Sequence, residues 1–322
     1  MVCFVILHYM ALEETVLCVE SILQNVEGEK RIVVVDNASP NGSVKQLREK
    51  YAEDPLVDVL ETGANLGFAR GNNFGYCYAV KNYAPSFVVV MNNDMEIRQK
   101  DFIAQMEKSY EKYRFAIMGP DIYSTKKKYH QNPQTRKIPD RKYLENSVRV
   151  LTVKNALRFM FPVKWFFAEK LQGIRKIHGI KKHQGTEKLR RAGKSMEFRE
   201  AGAPGHEPAP EHREERYVDH VVEGPLLHGS CYVFSEDFIE RHPDGCFYDK
   251  TFMYMEAEIL YYQARRDGEK IIYDPRLKVD HHEDVATDAT FQKQSKKSVF
   301  TVKCMLASTK AFLDLMDRDG SV

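Results

Sequence analysis

Over the first 120 residues, short runs rich in β-branched and aromatic side chains alternate with amphipathic stretches. That alternation restricts the chain to βαβ units wound around a mostly parallel sheet, an α/β fold. Strands are expected from Val2 to His8, Arg31 to Asp36, Val57 to Glu61 and Phe87 to Asn92, with helices from Leu12 to Leu23, Ser43 to Tyr51 and Ala69 to Tyr83. Asn41-Gly42 ahead of Ser43 supplies turn and capping chemistry. Each strand ends in polar residues or glycine, and open parallel sheets bind ligands at the carboxyl ends of their strands. Function is therefore sought at those ends.

From Thr125 to His220 the alternation stops. Ser147 to Ile180 is basic and rich in aromatics (Phe159, Phe161, Trp165, Phe166, Phe167), with a kink expected at Pro162. Gly202 to Arg216, carrying Pro204, Pro208 and Pro210, reads as a linker. Regular structure resumes at Val221, with a strand near Leu226 to Phe234, a helix near Met255 to Asp267, a strand around Ile271 and a C-terminal helix from about Phe291. The organisation expected is thus a core over 1–124 and 221–290, a basic, partly helical insertion over 125–220, and a helix over 291–322. At 43% hydrophobic and 29% charged residues, the composition excludes global disorder.

The formal net charge of +2 hides a strong segregation, because Lys126 to Glu200 holds 21 Lys and Arg against 6 Asp and Glu. Such a patch suits an anionic partner, and its aromatics suit an anionic membrane surface met through residues 147–200. A helical subdomain packed on the core or on a second subunit explains the same stretch equally well. No recognised nucleic-acid module accompanies the charge, so no nucleic acid is expected as a partner. Six scattered cysteines form no C-x-x-C pair and are expected to be reduced thiols. The apolar run Val2 to Leu7 has no basic leader and reads as a strand rather than an export signal. No stretch approaches the roughly 18 to 20 apolar residues of a membrane span. A cytoplasmic location is expected, with peripheral attachment at the inner face of the membrane as its variant.

Five segments can carry chemistry. Val33-Val34-Val35-Asp36-Asn37-Ala38-Ser39 delivers a carboxylate at a strand end, where it can accept from a nucleobase or ribose, although the same residues also make an ordinary turn. Asn65-Leu66-Gly67-Phe68-Ala69-Arg70-Gly71-Asn72-Asn73-Phe74-Gly75 is neither G-x-G-x-x-G nor a Walker loop. It reads either as a helix packing through its glycines or as a helix start whose free N–H groups attract a diphosphate. Asn92-Asn93-Asp94 closes a fully apolar strand, as an ordinary turn or, given its place after so hydrophobic a strand, as oxygen ligands that suit a hard divalent ion such as Mg²⁺. Glu256-Ala257-Glu258 puts two carboxylates at a helix start, as caps or as a general base. Val279-Asp280-His281-His282-Glu283-Asp284 groups two imidazoles with three acids, a metal or diphosphate site or simply surface or core histidines.

In this order the segments resemble the family 2 glycosyltransferases of the GT-A fold, in particular rhamnosyltransferase-like bacterial members, over roughly residues 1–120 and 221–290. The resemblance implies that 1–124 is the nucleotide-sugar-binding half and 221–290 the acceptor-binding, catalytic half. It implies a donor site at Asp36, Ser39, Asn65, Gly67, Arg70, Asn72, Asn73, Asn92 and Asn93. His228, Gly229 and Ser230 would form the loop between donor and acceptor pockets, and Asp94 and His281 the metal site for Mg²⁺ or Mn²⁺. Glu258 would be the base, with Glu256 supporting it. Where many members have Glu-Asp or Glu-Glu-Asp this chain has Glu256-Ala257-Glu258, which leaves the choice between the two glutamates open. The activity implied is inverting transfer of a sugar from dTDP-rhamnose or a UDP-sugar to a hydroxyl of a saccharide or lipid-linked saccharide, in cell-surface polysaccharide synthesis. The rivals are a catalytically impaired glycan-binding or scaffolding homologue and a sugar nucleotidyltransferase, which would need a basic Gly-rich loop where Leu7-His8-Tyr9-Met10 stands.

Overall fold

The computed structural model describes residues 1–157, 217–283 and 294–320. Two compact units divide them, Met1–Ile138 with Arg213–Thr290, and Pro139–His212 with Phe291–Val322. The aromatic cluster from Phe159 to Phe167, the Pro162 kink, the proline linker and Asp284 lie outside the described residues.

In the first unit, ten strands among the described residues form one sheet in the order β3-β2-β1-β4-β9-β6-β10-β5, with β7 beside β6 and β8 beside β10. Four strands on the expected segments make its parallel half: β1 (Val2–His8), β2 (Lys30–Asp36), β3 (Val57–Glu61) and β4 (Phe87–Asn92). β9 (Cys231–Ser235) runs antiparallel between β4 and β6 (Ile117–Ser124), and β6 pairs in parallel with the long β10 (Ile271–His281). The short strands are β5 (Met95–Glu96), β7 (Tyr129–His130) and β8 (Val222–Glu223). The strand expected near Leu226 begins only at Cys231. Leu226 instead makes an isolated bridge to Gln134, and 227–230 is loop.

The central strands read as uninterrupted apolar runs because both of their faces are covered. Val2, Phe4 and Ile6 point to one side, against Cys18, Val19 and Ile22 of α1 (Leu12–Asn25) and Phe102, Ile103 and Met106 of α4 (Phe102–Tyr113). Cys3 and Val5 point to the other, in a cluster with Ala69, Tyr76 and Ala79 of α3 (Gly67–Tyr83) and Leu260 and Ala264 of α7 (Glu256–Arg266). The helices α2 (Ser43–Lys50) and α6 (Glu236–Arg241) complete the layers. All six cysteines are free thiols.

Neither α4 nor β6 was expected. The sequence signal of β6 is broken by Gly119-Pro120, yet a proline is tolerated there because the ladder to β9 ends at Met118 and no donor is needed beyond it.

In the second unit α5 (Arg141–Ala156) contacts α8 (Gln294–Asp319). Leu144, Ser147 and Leu151 of α5 are buried at helical spacing, as are Met305, Ser308, Phe312 and Leu315 of α8. Asp140 caps α5 by accepting from Tyr143 N, and Arg141 pairs with Asp317. No described helix is long and apolar enough to cross a membrane.

The glycines of α3 set how closely it lies on the sheet. A Cβ on Gly75 would stand 2.6 Å from both Val5 Cγ1 and Val35 Cγ2. Gly75→Ala should therefore destabilise the protein by about 1 to 3 kcal/mol from overpacking, against which the helix propensity of alanine returns at most ~1 kcal/mol. Urea unfolding would check this, with a raised midpoint contradicting the close approach.

Candidate active site

Asp36, Asn92 and His281 close β2, β4 and β10, Asp94 follows β4, and Glu256 and Glu258 stand at the start of α7. Asp36 closes β2 fully buried, and its carboxylate accepts from Ser39 N at 3.1 Å in a turn that needs Ala38 at φ +58. Ser39 Oγ accepts from Met10 N at 2.9 Å. Beneath this turn lies His8, which sequence reasoning passed over. Its Nδ1 meets Thr15 Oγ1 at 2.6 Å, its Nε2 meets Ser43 Oγ at 2.7 Å, and Asp36 Oδ1 is 3.7 Å away. Burial pushes its pKa down to about 4 despite the opposing pull of Asp36. A neutral imidazole thus joins the β1 end to α1 and α2.

The amide-rich segment is held by its own neighbours. Asn37, also passed over, accepts from Leu66 N at 2.8 Å and donates to Gly67 O at 3.1 Å and Asn65 Oδ1 at 3.2 Å. Asn65 Oδ1 accepts from Gly67 N at 3.0 Å, and Phe68 N donates to Phe252 O at 2.7 Å. The N–H groups of Leu66, Gly67 and Phe68 at this helix start are therefore engaged within the protein. Gly67 has φ +79, and a Cβ there would lie 2.1 Å from Phe252 O, so the close approach of these two loops demands glycine. Asn73 accepts from Cys246 N and Phe247 N and donates to Phe247 O at 2.7 Å, bracing the 245–247 loop. Asn72 donates to Phe68 O at 2.9 Å while its buried Oδ1 has no partner, and the exposed Arg70 donates to Leu66 O at 3.3 Å.

At the end of β4 the chain turns through Asn93 and Asp94. Asn92 N donates to Ser230 O at 2.8 Å, which ties the 227–230 loop to this strand end. Asn93 points inward, donating to Thr15 Oγ1 at 2.9 Å. Asp94 and His281 are both buried, with Asp94 Oδ1 3.3 Å from His281 Nε2. They are too poorly aligned to hydrogen-bond, and Oδ1 is a buried oxygen without a partner. His281 is the last residue of β10 rather than a residue beyond it. His228 stacks edge-on to it at 5.8 Å between ring centroids, and its Nδ1 lies 2.8 Å from Ser230 Oγ. Around Gly229 there is open space.

Among the described residues no three His, Cys, Asp or Glu cluster as a complete metal cage. The Asp94–His281 pair nevertheless suits a hard divalent ion that takes one carboxylate and one imidazole from protein and fills its remaining positions from substrate phosphates. The orphaned Oδ1 is the observation that makes it fit.

The two glutamates of α7 have different surroundings. Glu258 is buried and ion-paired with Arg136, a residue from the segment read as insertion. Glu256 accepts from Thr251 Oγ1 at 3.1 Å and follows Tyr254 and Met255, both at positive φ, a strained approach of the kind that persists where a side chain must be held in place. Although part of Glu256 reaches solvent, the dense packing around it penalises its charge and, with the nearby Glu258, raises its pKa to about 7.

A profile of the family described as Glycosyl transferase family 2 matches residues 3–174. The chain belongs to this glycosyl transferase family 2. A similar protein is the low-salt glycan biosynthesis hexosyltransferase Agl10 of Haloferax volcanii, 27% identical over 118 residues. That match spans 37% of this chain and 35% of the relative, about a third of the relative's length. Among solved structures, GalNAc-T7 with UDP, GalNAc and Mn²⁺ is similar at a TM-score of 0.50 and 13% identity, over 87% of this chain and 43% of that one. S. aureus TarS 1–349 in complex with UDP has a TM-score of 0.34 and 16% identity, over 43% of this chain and 38% of that one. The fold of this chain is of the GT-A type, with its mostly parallel central sheet and flanking helices.

His8 gives the buried edge of the site a pH dependence. Its native pKa of about 4 lies below the ordinary value of 6.5, so between those values the unfolded chain binds the proton and the native state does not. Stability should fall by up to about 3 kcal/mol as pH drops from 6.5 to 4. In His8→Gln that component should vanish. Urea melts of both proteins across this range would show it, and parallel pH profiles would rule out the neutral, buried imidazole.

Proposed function

We propose that the chain is an inverting glycosyltransferase, moving a sugar from a nucleoside-diphosphate donor to a hydroxyl of a saccharide or lipid-linked saccharide. The donor is dTDP-rhamnose or a UDP-sugar, and the product belongs to a cell-surface polysaccharide. The observation that supports this most is the unpartnered Asp94 oxygen facing His281 Nε2 at the carboxyl edge of the sheet. A relative named as a hexosyltransferase and a structural neighbour crystallised with UDP, GalNAc and Mn²⁺ support the same chemistry.

In this mechanism Asp94 and His281 would hold Mg²⁺ or Mn²⁺, which when bound would supply positive charge to the departing diphosphate. Asp36 and Ser39 shape the end of β2 that receives the nucleoside, and Asn65, Gly67, Arg70, Asn72 and Asn73 shape the adjoining wall. Asn92 and Asn93 fix the turn that presents Asp94. The loop of His228, Gly229 and Ser230 separates donor from acceptor. An acceptor oxygen forms the new bond to the anomeric carbon while the bond from that carbon to the diphosphate oxygen breaks, on opposite faces.

The acceptor proton passes to a carboxylate of α7. Here the structure favours exchanging the two expected roles. Glu258 is occupied by Arg136, whereas Glu256, held at about 7 by desolvation, is matched to proton transfer near neutral pH. Glu256 is therefore the base we propose, with Glu258 and Arg136 fixing the helix start.

Glu256→Gln should lower the transfer rate about 10²- to 10⁴-fold with little change in donor affinity. In the unmodified enzyme the rate should rise about tenfold per pH unit below 7 and level off above it, since the base acts when deprotonated. Release of nucleoside diphosphate from candidate donors measures both. An unchanged rate in Glu256→Gln, matched by a large loss in Glu258→Gln, would return the role to Glu258. Asp94→Asn should abolish the Mn²⁺-dependent part of donor binding, read by thermal shift with and without metal. Release of pyrophosphate instead of nucleoside diphosphate would mark a nucleotidyltransferase, and donor binding without any release an impaired homologue.

A further inference from the structure

His281 is backed by a chain of buried groups that fixes which of its nitrogens faces Asp94. Its Nδ1 lies 2.7 Å from Gln131 Oε1. Gln131 Nε2 donates to Glu283 Oε1 at 2.8 Å. The same Glu283 oxygen accepts from Lys127 Nζ at 3.0 Å, and Glu283 Oε2 accepts from Ser124 Oγ at 2.7 Å. His281, Gln131, Glu283 and Ser124 are all buried.

The chemistry of this chain permits one direction only. A lysine ammonium has donors and no acceptor, so the Glu283 oxygen it meets accepts. A carboxylate that accepts from lysine and serine has nothing to donate, so the amide end that meets it must be the NH₂. The other end of Gln131 is then a carbonyl oxygen, which can only accept, and the group it accepts from is His281 Nδ1–H. A neutral His281 is left with its lone pair on Nε2, 3.3 Å from an Asp94 oxygen that likewise only accepts. Two opposed acceptors favour a cation between them.

We infer that Gln131, oriented by Glu283, is a positioning residue that holds His281 in the Nδ1–H tautomer and so presents Nε2 as a ligand toward Asp94. Glu283 is itself oriented by Lys127 and Ser124. The metal-binding part of this inference rests on the function proposed above; the tautomer does not. Histidines that bind metals through one nitrogen commonly donate from the other to a carbonyl or carboxylate, and losing that partner weakens metal affinity about 10- to 100-fold.

The test has two arms. Nitrogen-15 NMR of the histidine rings in the metal-free full chain, assigned with His281→Ala, should show Nδ1–H in the wild type. A shifted equilibrium or mobile ring is expected in Gln131→Leu, and in Glu283→Gln, where the new amide can reverse the direction of the chain. Mn²⁺ binding in the presence of a nucleoside diphosphate, read from the free-ion electron paramagnetic resonance signal, should weaken 10- to 100-fold in Gln131→Leu. A circular dichroism spectrum like that of the wild type shows that the variant has folded, and Glu283→Gln provides the second variant if it has not. Wild-type His281 protonated on Nε2 while neutral, or an unchanged ring in both variants, overturns the inference. If Asp94→Asn binds Mn²⁺ as the wild type does, the metal reading of the pair fails, and the ring measurement still decides the role of Gln131.

Discussion

Burial of the central strands on both faces is the constraint from which the rest follows. With α1 and α4 on one side of β1 and β4, and α3 on the other, no polar side chain along their length has water or a partner to meet. Burying an unpaired polar group costs on the order of 1 to 3 kcal/mol, so the strands are apolar until they emerge. Polar chemistry is thereby confined to the strand ends. His8 aligns with Asp36 across β1 and β2, and Leu7 with Asn92 across β1 and β4, so the ends of three strands emerge side by side. The fourth contribution comes from β10, whose last residue, His281, pairs with Met95 just beyond Asp94.

The groups that emerge there mostly serve one another. Asn37 holds the 65–67 turn, Asn73 holds 246–247, and Asn93 holds the start of α1. These side chains make a rigid frame, and the oxygens left over stand out against it: Asp94 Oδ1 and Asn72 Oδ1 are buried without partners. A site of this kind is preorganised, because each loop is tied to a second one distant in sequence. The bond from Phe68 N to Phe252 O, at 2.7 Å, fixes the amide-rich segment against the loop that leads into α7.

The parallel half of the sheet was legible in the sequence because its strands are continuous apolar runs punctuated by glycine, asparagine and aspartate. Asp94 was legible for the same reason, as a carboxylate directly after such a run. The glycines at 71 and 75 were ambiguous between packing and ligand approach, and their spacing from Leu7, Val5 and Val35 assigns them to packing. Gln131 and Arg136 could not be read, and Glu283 was visible only as an acid beside the histidines, since each acquires its meaning from a partner over a hundred residues away. Nothing local distinguishes Gln131 from any other glutamine in a polar loop. His8 was visible only as the polar end of a strand, and what gives it weight is the convergence of Thr15, Ser43 and Asp36 around it.

The alanine at position 257 becomes intelligible once the turn of α7 is considered. Successive residues on a helix turn by about 100°, so Glu256 and Glu258 diverge by roughly 200° and face different parts of the protein. Glu258 pairs with the Arg136 guanidinium, whereas Glu256 accepts from Thr251 Oγ1 in dense packing that penalises its charge. Two acids in unlike environments can divide structural and proton-accepting work between them. Ala257 lies between those directions and is half-buried, in a place where a third carboxylate would add like charge beside a Glu256 already held near neutral pH. Alanine there adds no charge beside the two glutamates.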